Sequence, residues 1–161
     1  MSEGQIRYIN NGIVIDHLPV GRKLPEIIKI LGLAELVERD TKVRYSTGNG
    51  FESKRASLGR KSFLKVQGRM LDEYELNLVA LIAPDATVNF IKDGKVVEKK
   101  KVFIPNQLDD IVCCVNPGCI TNHANEKVRY NIAYDAGSGI FTCHYCDTSF
   151  GLKDVKLNLK G

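Results

Sequence analysis

Cys113-Cys114-Val115-Asn116-Pro117-Gly118-Cys119 and, further along, Cys143-His144-Tyr145-Cys146 are the stretches that decide how the last third of this chain folds. The second is a C-x2-C turn, a spacing that lets two sulfurs approach a single ion; the first, counted from Cys114, is the wider C-x4-C. None of the five cysteines precedes Cys113. Four thiolates presented by two loops match a tetrahedral zinc site, and such a site folds a segment too small to hold itself together. A redox C-x2-C normally opens a helix after a strand, and that reading leaves the other pair unexplained. Because four thiolates close the coordination shell, the expected zinc, bound by Cys114, Cys119, Cys143 and Cys146, is structural and not catalytic. Adjacent strand residues face opposite ways, so only one of Cys113 and Cys114 can point at the metal. His123 and His144 lie near the ligands in sequence and read as surface or packing residues.

Around this cluster the chain is ordinary in bulk. Its 161 residues give room for one domain and a small satellite, and 43% hydrophobic with 26% charged residues excludes a disordered polymer. No apolar run approaches a membrane span, and Met1-Ser2-Glu3-Gly4-Gln5 lacks the basic-then-apolar pattern of a secretory signal. A cytosolic protein is expected, in a compartment where paired cysteines serve metals more often than disulfides. Charge is divided unevenly. Residues 1–104 carry 18 Lys and Arg against 13 Asp and Glu, whereas residues 105–161 carry 5 against 6. The cysteine-bearing part, at −1, is poorly suited to neutralising a phosphate backbone. The part at +5 suits an anionic partner as small as a nucleotide.

Upstream, the pattern is strand, helix, two strands, helix, strand. Ile6, Tyr8 and Ile9, then Ile13, Val14 and Ile15 around Asn10-Asn11-Gly12, read as a strand or bent strand pair. Leu24, Ile27, Ile28 and Leu31 share a helical face, with Pro25 in the first turn and Gly32 as the stop. Lys42–Thr47 and Ser57–Val66 read as strands flanking a Gly48-Asn49-Gly50 hairpin turn. Asp72 and Glu75 form a capping box, and Leu71, Tyr74, Leu78 and Ile82 keep helical period until Pro84. Asp93-Gly94 is a preferred two-residue turn between Thr87–Ile91 and Lys95–Ile104. This order predicts an α+β protein: a ferredoxin-like N-terminal domain with one appended strand, followed by a small C-terminal zinc-bound β domain. Pro105-Asn106 is the expected hinge. Beyond it, Ile111-Val112 and Ile140-Phe141 read as strand residues leading into the two cysteine loops, with a polar stretch from Thr121 to Gly139 between.

No P-loop, dinucleotide fingerprint, nucleophile elbow or H-E-x-x-H motif appears, so an enzyme is the weaker class. Asp16-His17 ends an apolar run and suits either a polar strand terminus or a functional pair. Arg60, Lys61, Lys65 and Lys99 can meet phosphate if the fold gathers their strands. Lys99-Lys100-Lys101 also reads as a solvated strand edge. A zinc-ribbon, nucleic-acid-binding or transcription-associated protein is the alternative, supported by the C-x2-C pair and opposed by the charge of the cysteine-bearing part.

Gly12-Ile13-Val14-Ile15-Asp16-His17-Leu18-Pro19, Gly59-Arg60-Lys61-Ser62-Phe63-Leu64-Lys65-Val66, Ala83-Pro84-Asp85-Ala86-Thr87-Val88-Asn89 and the cysteine set together resemble one family, the regulatory chain of aspartate carbamoyltransferase. The resemblance runs in order along nearly the whole chain. It implies a non-catalytic, allosteric subunit of pyrimidine biosynthesis. Residues 1–104 would bind nucleotide triphosphate effectors, CTP and ATP, and residues 105–161, holding one structural Zn2+ per chain, would contact the catalytic chain. It implies a regulatory-chain homodimer paired through the N-terminal domains and bridging catalytic trimers, with neither nucleic acid nor membrane as partner. The positions that match the family's nucleotide site are Asp16, His17, Lys65, Asn89, Ile91 and Lys99. Arg7 and Gly94 stand where the family pattern has an acidic residue and a tyrosine, both near the base.

Overall fold

Apolar side chains alternate along β1 (Gly12–Pro19): Ile13 and Ile15 are fully buried while Val14 and Asp16 are only half-buried. A strand with one face sealed has its register fixed, because a slip of one residue would exchange the two faces. The computed structural model, which describes residues 9–52, 59–123, 125 and 127–159, places β1 at the centre of a five-stranded antiparallel sheet. With β2 (Arg44–Glu52), β3 (Arg60–Gln67), β4 (Thr87–Lys92) and β5 (Lys95–Lys101), the sheet order is β2-β3-β1-β4-β5. This is the split β-α-β arrangement with one hairpin strand added at the edge. The chain divides into two compact units, Met1–Phe103 and Ile104–Gly161.

Helices cover the face that carries Ile13, Ile15, Leu64, Val66 and Val88, all fully buried. The first, α1 (Lys23–Ile30), buries Leu24 and Ile27. Gly32 then takes a left-handed conformation (φ 62°) and, instead of only stopping α1, starts a second helix, α2 (Leu33–Arg39), that the sequence pattern did not reveal. Seven residues with one buried anchor, Leu33, carry too little periodicity to be read. In α3 (Glu73–Ile82) both bonds of the capping box form: Asp72 Oδ1 accepts from the Glu75 amide at 2.8 Å, and Glu75 Oε1 from the Asp72 amide at 3.3 Å. Leu76 and all of Leu78–Ile82 are buried, whereas Tyr74 is exposed. Of the expected stripe, Leu71, Leu78 and Ile82 are packed and Tyr74 is not, and burial of Leu76 and Val79–Leu81 widens the covered face at the helix end.

Two further expectations are corrected. Gly48-Asn49-Gly50 is not the hairpin turn but lies within β2, where the register against β3 shifts between Gly48 and Phe51 and Gly50 has φ 83°. Glycines inside a strand mark such a bulge, and Asn49 Oδ1 accepts the Ser62 hydroxyl of the partner strand. The β2–β3 connection, Ser57, and Ile6, Arg7 and Tyr8 fall outside the described residues. Asp93 and Gly94, both at positive φ, do form the two-residue β4–β5 turn.

The second unit is a four-stranded antiparallel sheet, β6 (Gln107–Asp109), β7 (Asn131–Asp135), β8 (Ile140–Cys143) and β9 (Ser149–Phe150), in that order. Ile111-Val112 contributes one bridge, Val112 to Leu157, and not a strand; β7 instead arises inside the stretch read as polar, around buried Ile132. Phe141 packs against Tyr134 at 4.6 Å and Phe150 at 5.4 Å between centroids, and with buried Leu108, Val112 and Ile132 forms a small apolar core. Among the described residues, no helix is long and apolar enough to cross a membrane.

A Cβ added at Gly12 would overlap the backbone oxygen of Val66 on β3. Gly12→Ala is expected to lower stability by about 1–3 kcal/mol, and Asp72→Ala, which removes a cap, by about 1 kcal/mol. Denaturant midpoints of the two variants check both.

Candidate functional site

Two loops of the second unit bring four sulfurs together. Those of Cys114, Cys119, Cys143 and Cys146 all lie within 4.8 Å of one another, with Cys114 to Cys146 at 3.5 Å and Cys119 to Cys143 at 3.8 Å. A tetrahedral ion with metal–sulfur bonds of about 2.3 Å spaces its sulfurs by about 3.8 Å, so the donor set fits zinc. Three of the cysteines are buried and Cys146 half-buried. Cys113 is outside the group: its thiol meets the Tyr130 hydroxyl, which burial and this thiol together push up to about 12. His123 and His144 are exposed and also outside it.

The loops owe their shape to local bonds. In the first, the Cys119 amide donates to the Asn116 carbonyl at 3.0 Å, and the Asn116 side chain accepts the Gly118 amide. Asn122 donates to the carbonyls of both Cys114 and Asn116, at 3.0 and 2.7 Å, and is itself held by the Tyr130 hydroxyl at 2.7 Å. In the second, Asp147 takes a left-handed conformation, returning its amide to the Cys143 carbonyl at 3.0 Å. Burial raises the Cys114 and Cys143 thiols. The hydroxyl and amide of Thr148 instead draw Cys146 down to about 6.

In the first unit, the sheet face away from the helices gathers residues from four strands. Val14 on β1 pairs with Lys65 on β3 and Asn89 on β4, and Asn89 pairs with Lys99 on β5. Residues directly opposite one another share a face, so Lys65, Val14, Asn89 and Lys99 form one row. Asn89 is tied into it by a 3.4 Å bond from its amide to the Val14 carbonyl. One pair of residues along lies Ile91, opposite Gly12. In the other direction Asp16 stands opposite Thr87, and His17 interrupts the ladder at φ 62° with its Nδ1 3.2 Å from the Thr87 hydroxyl. All six residues thus belong to one face or its end. Lys61, grouped in sequence with the other cations, proves to be the partner of Asp16, at 3.1 Å. Burial opposes the Asp16 charge, but the His17 amide and Lys61 outweigh it and hold the carboxyl below its ordinary range. Asp16 and Lys61 lie on the same face of neighbouring strands β1 and β3, and the sequence carries no direct sign of that pairing.

Residues 4–103 match the family model described as aspartate carbamoyltransferase regulatory chain, allosteric domain, and residues 106–156 match the metal binding domain of the same chain. The chain belongs to the aspartate carbamoyltransferase regulatory chain family. A member from Thermococcus gammatolerans is 41% identical, covering 99% of this chain and 100% of its own length. One from Pyrococcus abyssi is 40% identical with the same coverage, and one from Phocaeicola vulgatus is 38% identical over 95% of this chain and 93% of its own. The family makes this a regulatory, non-catalytic chain. Its metal-binding segment contains all four clustered cysteines, and its allosteric segment contains the whole Lys65–Lys99 row.

Cys114→Ser is expected to abolish metal binding and Cys113→Ser to leave it intact, measured as metal content of the purified full chain. For Asp16, a lowered folded pKa contributes stability above the unfolded pKa and loses it as pH falls through the folded one. Asp16→Asn should therefore be less stable than the parent at neutral pH, with the difference closing in acid, in unfolding curves taken across pH.

Proposed function

We propose that this chain is the effector-binding and docking subunit of an aspartate carbamoyltransferase, that CTP and ATP bind on the open sheet face of residues 1–104, and that a single Zn2+ holds residues 105–161 in the form that contacts the catalytic chain. The observation that carries this reading is the match of both domain models, in order, to one family whose members are regulatory chains. In support, Lys65 and Lys99 are cations on a common row, suited to phosphate and ribose oxygens. His17 suits a phosphate contact, Asp16 a ribose hydroxyl, and Asn89 with the backbone near Ile91 the base. The chain acts in the cytosol and pairs with a second copy through residues 1–104.

A nucleotide alters the catalytic chains only through a difference in its affinity for the low- and high-activity states, typically about 1–3 kcal/mol. Zinc works at a remove from this. Strands of two to five residues around one small aromatic core do not hold themselves together. The metal supplies that stability, four thiolates leave no open position for catalysis, and its loss releases the catalytic chain while the nucleotide-binding unit stays folded. Exposed Tyr145 and Asp147, with half-buried Asn116, are candidate contacts on the cysteine loops. The nucleic-acid alternative is not favoured, since both matched models are regulatory-chain domains and residues 105–161 carry net charge −1.

Titration calorimetry of the full chain with CTP, ATP and a nonspecific oligonucleotide tests the reading. Binding of the nucleotides is expected, and Lys65→Ala or Lys99→Ala should weaken it by about tenfold or more. Tight oligonucleotide binding without a nucleotide response would overturn it. Reconstitution with catalytic chains, assayed for carbamoyl transfer against each nucleotide, gives the sign of the response.

A further inference from the structure

The two cysteine loops differ in length yet repeat one detail: the second cysteine of each pair is followed two residues later by threonine, Cys119-Ile120-Thr121 and Cys146-Asp147-Thr148. In both, the threonine turns back on its own cysteine, with Thr121 Oγ1 3.1 Å from the Cys119 sulfur and Thr148 Oγ1 3.2 Å from that of Cys146. The first cysteine of each pair takes main-chain amides and no hydroxyl, Asn116 to Cys114 at 3.5 Å, and Tyr145 and Cys146 to Cys143, while Cys146 takes the Thr148 amide beside its hydroxyl. We propose that the Thr121 and Thr148 hydroxyls are a matched pair of donors to the Cys119 and Cys146 thiolates, and that they set how tightly the chain holds its metal. The proposal rests on the reading of this unit as a metal centre.

Charge is the reason the donors are needed. Four thiolates around a divalent cation leave a net charge of about −2 in a small, largely buried site. Hydrogen bonds to the charged form stabilise it, and bonds to an ionised acceptor are the strong ones. Main-chain amides serve Cys114 and Cys143. For Cys119, and for Cys146 beside the Thr148 amide, side-chain hydroxyls complete the set, so that all four sulfurs have a donor within their own loop. The direction of donation follows from the chemistry: a thiol could donate to the hydroxyl, but a metal-bound thiolate has no proton left, so only the hydroxyl can. Thr121 is also buried, at 7% exposure, where a hydroxyl without a partner would be costly. Groups that hydrogen-bond a metal's ligands commonly change its affinity by about 10–100-fold when removed.

The test uses the full chain as Thr121→Val, Thr148→Val, Thr121→Ser and Thr148→Ser. Valine keeps the shape and loses the hydroxyl; serine keeps the hydroxyl and loses the methyl. Zn2+ affinity is measured by competition with a chromophoric chelator, and the thiolate-to-metal charge-transfer band is recorded with Co2+ in place of Zn2+. Each valine variant is expected to bind Zn2+ about 10–100-fold more weakly and to shift the Co2+ band to longer wavelength, with each serine variant close to the parent. Valine variants within about twofold of the parent, or serine variants as weak as valine, would overturn the proposal. Thr148 lies half-buried on the outer loop, so its variants carry the test even where buried Thr121→Val perturbs folding. A parent chain that takes up no Zn2+ would overturn the metal reading itself, whereas a binding parent with unaffected valine variants overturns this inference alone.

Discussion

Antiparallel pairing of β1 with both β3 and β4 is the constraint from which the architecture of the open sheet face follows. Through it Val14 stands opposite Lys65 on one side and Asn89 on the other, and Asn89 stands opposite Lys99. Residues spread from position 14 to position 99 become one line because three strand registers agree. The agreement is enforced from the other face, where Ile13, Ile15, Leu64, Val66 and Val88 must all be out of water. A one-residue slip of β1 would expose its isoleucines and turn Asp16 towards the helices. The apolar core therefore positions the polar row, although the two share no side chain.

The second unit is organised by a different force. Its sheet is too short to bury much, and its core amounts to Phe141 between two other aromatic rings with a few aliphatic neighbours. The four sulfurs converge beside that core because Cys143 ends β8, paired with Ile132, while Asn122 and Tyr130 shape the loop carrying Cys114 and Cys119. Burial that raises the Cys114 and Cys143 thiols makes the free cluster an uncomfortable place for charge, and a divalent cation relieves it. One unit is thus sealed by hydrocarbon and the other by a metal. This division suits a chain in which effector binding and attachment to a larger enzyme are separate tasks.

Legibility followed the length scale of the physics. The capping box at Asp72, the Asp93-Gly94 turn and the C-x2-C loop are each decided within a few residues, and all were readable. Short α2 and strand β7, each with a single buried anchor, were not, since one apolar residue sets no period. Gly48-Asn49-Gly50 was misread because glycine and asparagine favour turns and bulges alike; only the pairing partner separates the two. Tyr74 fits the helical period of buried Leu71, Leu78 and Ile82 yet is exposed, because how far along a stripe the burial reaches depends on what else packs there.

By itself the sequence determined the two-part plan, the order of the major elements, the cysteine pairs that converge and, through its motifs, the family. These depend on residue types at fixed short spacings. Tertiary structure decided which of the adjacent cysteines Cys113 and Cys114 turns towards the sulfur cluster, that Lys61 pairs with Asp16, and that two threonine hydroxyls meet two of the sulfurs. Each of these is a matter of direction between groups brought together by loop closure or strand pairing. Such directions are fixed by register and backbone conformation, which the identity of the residues leaves open.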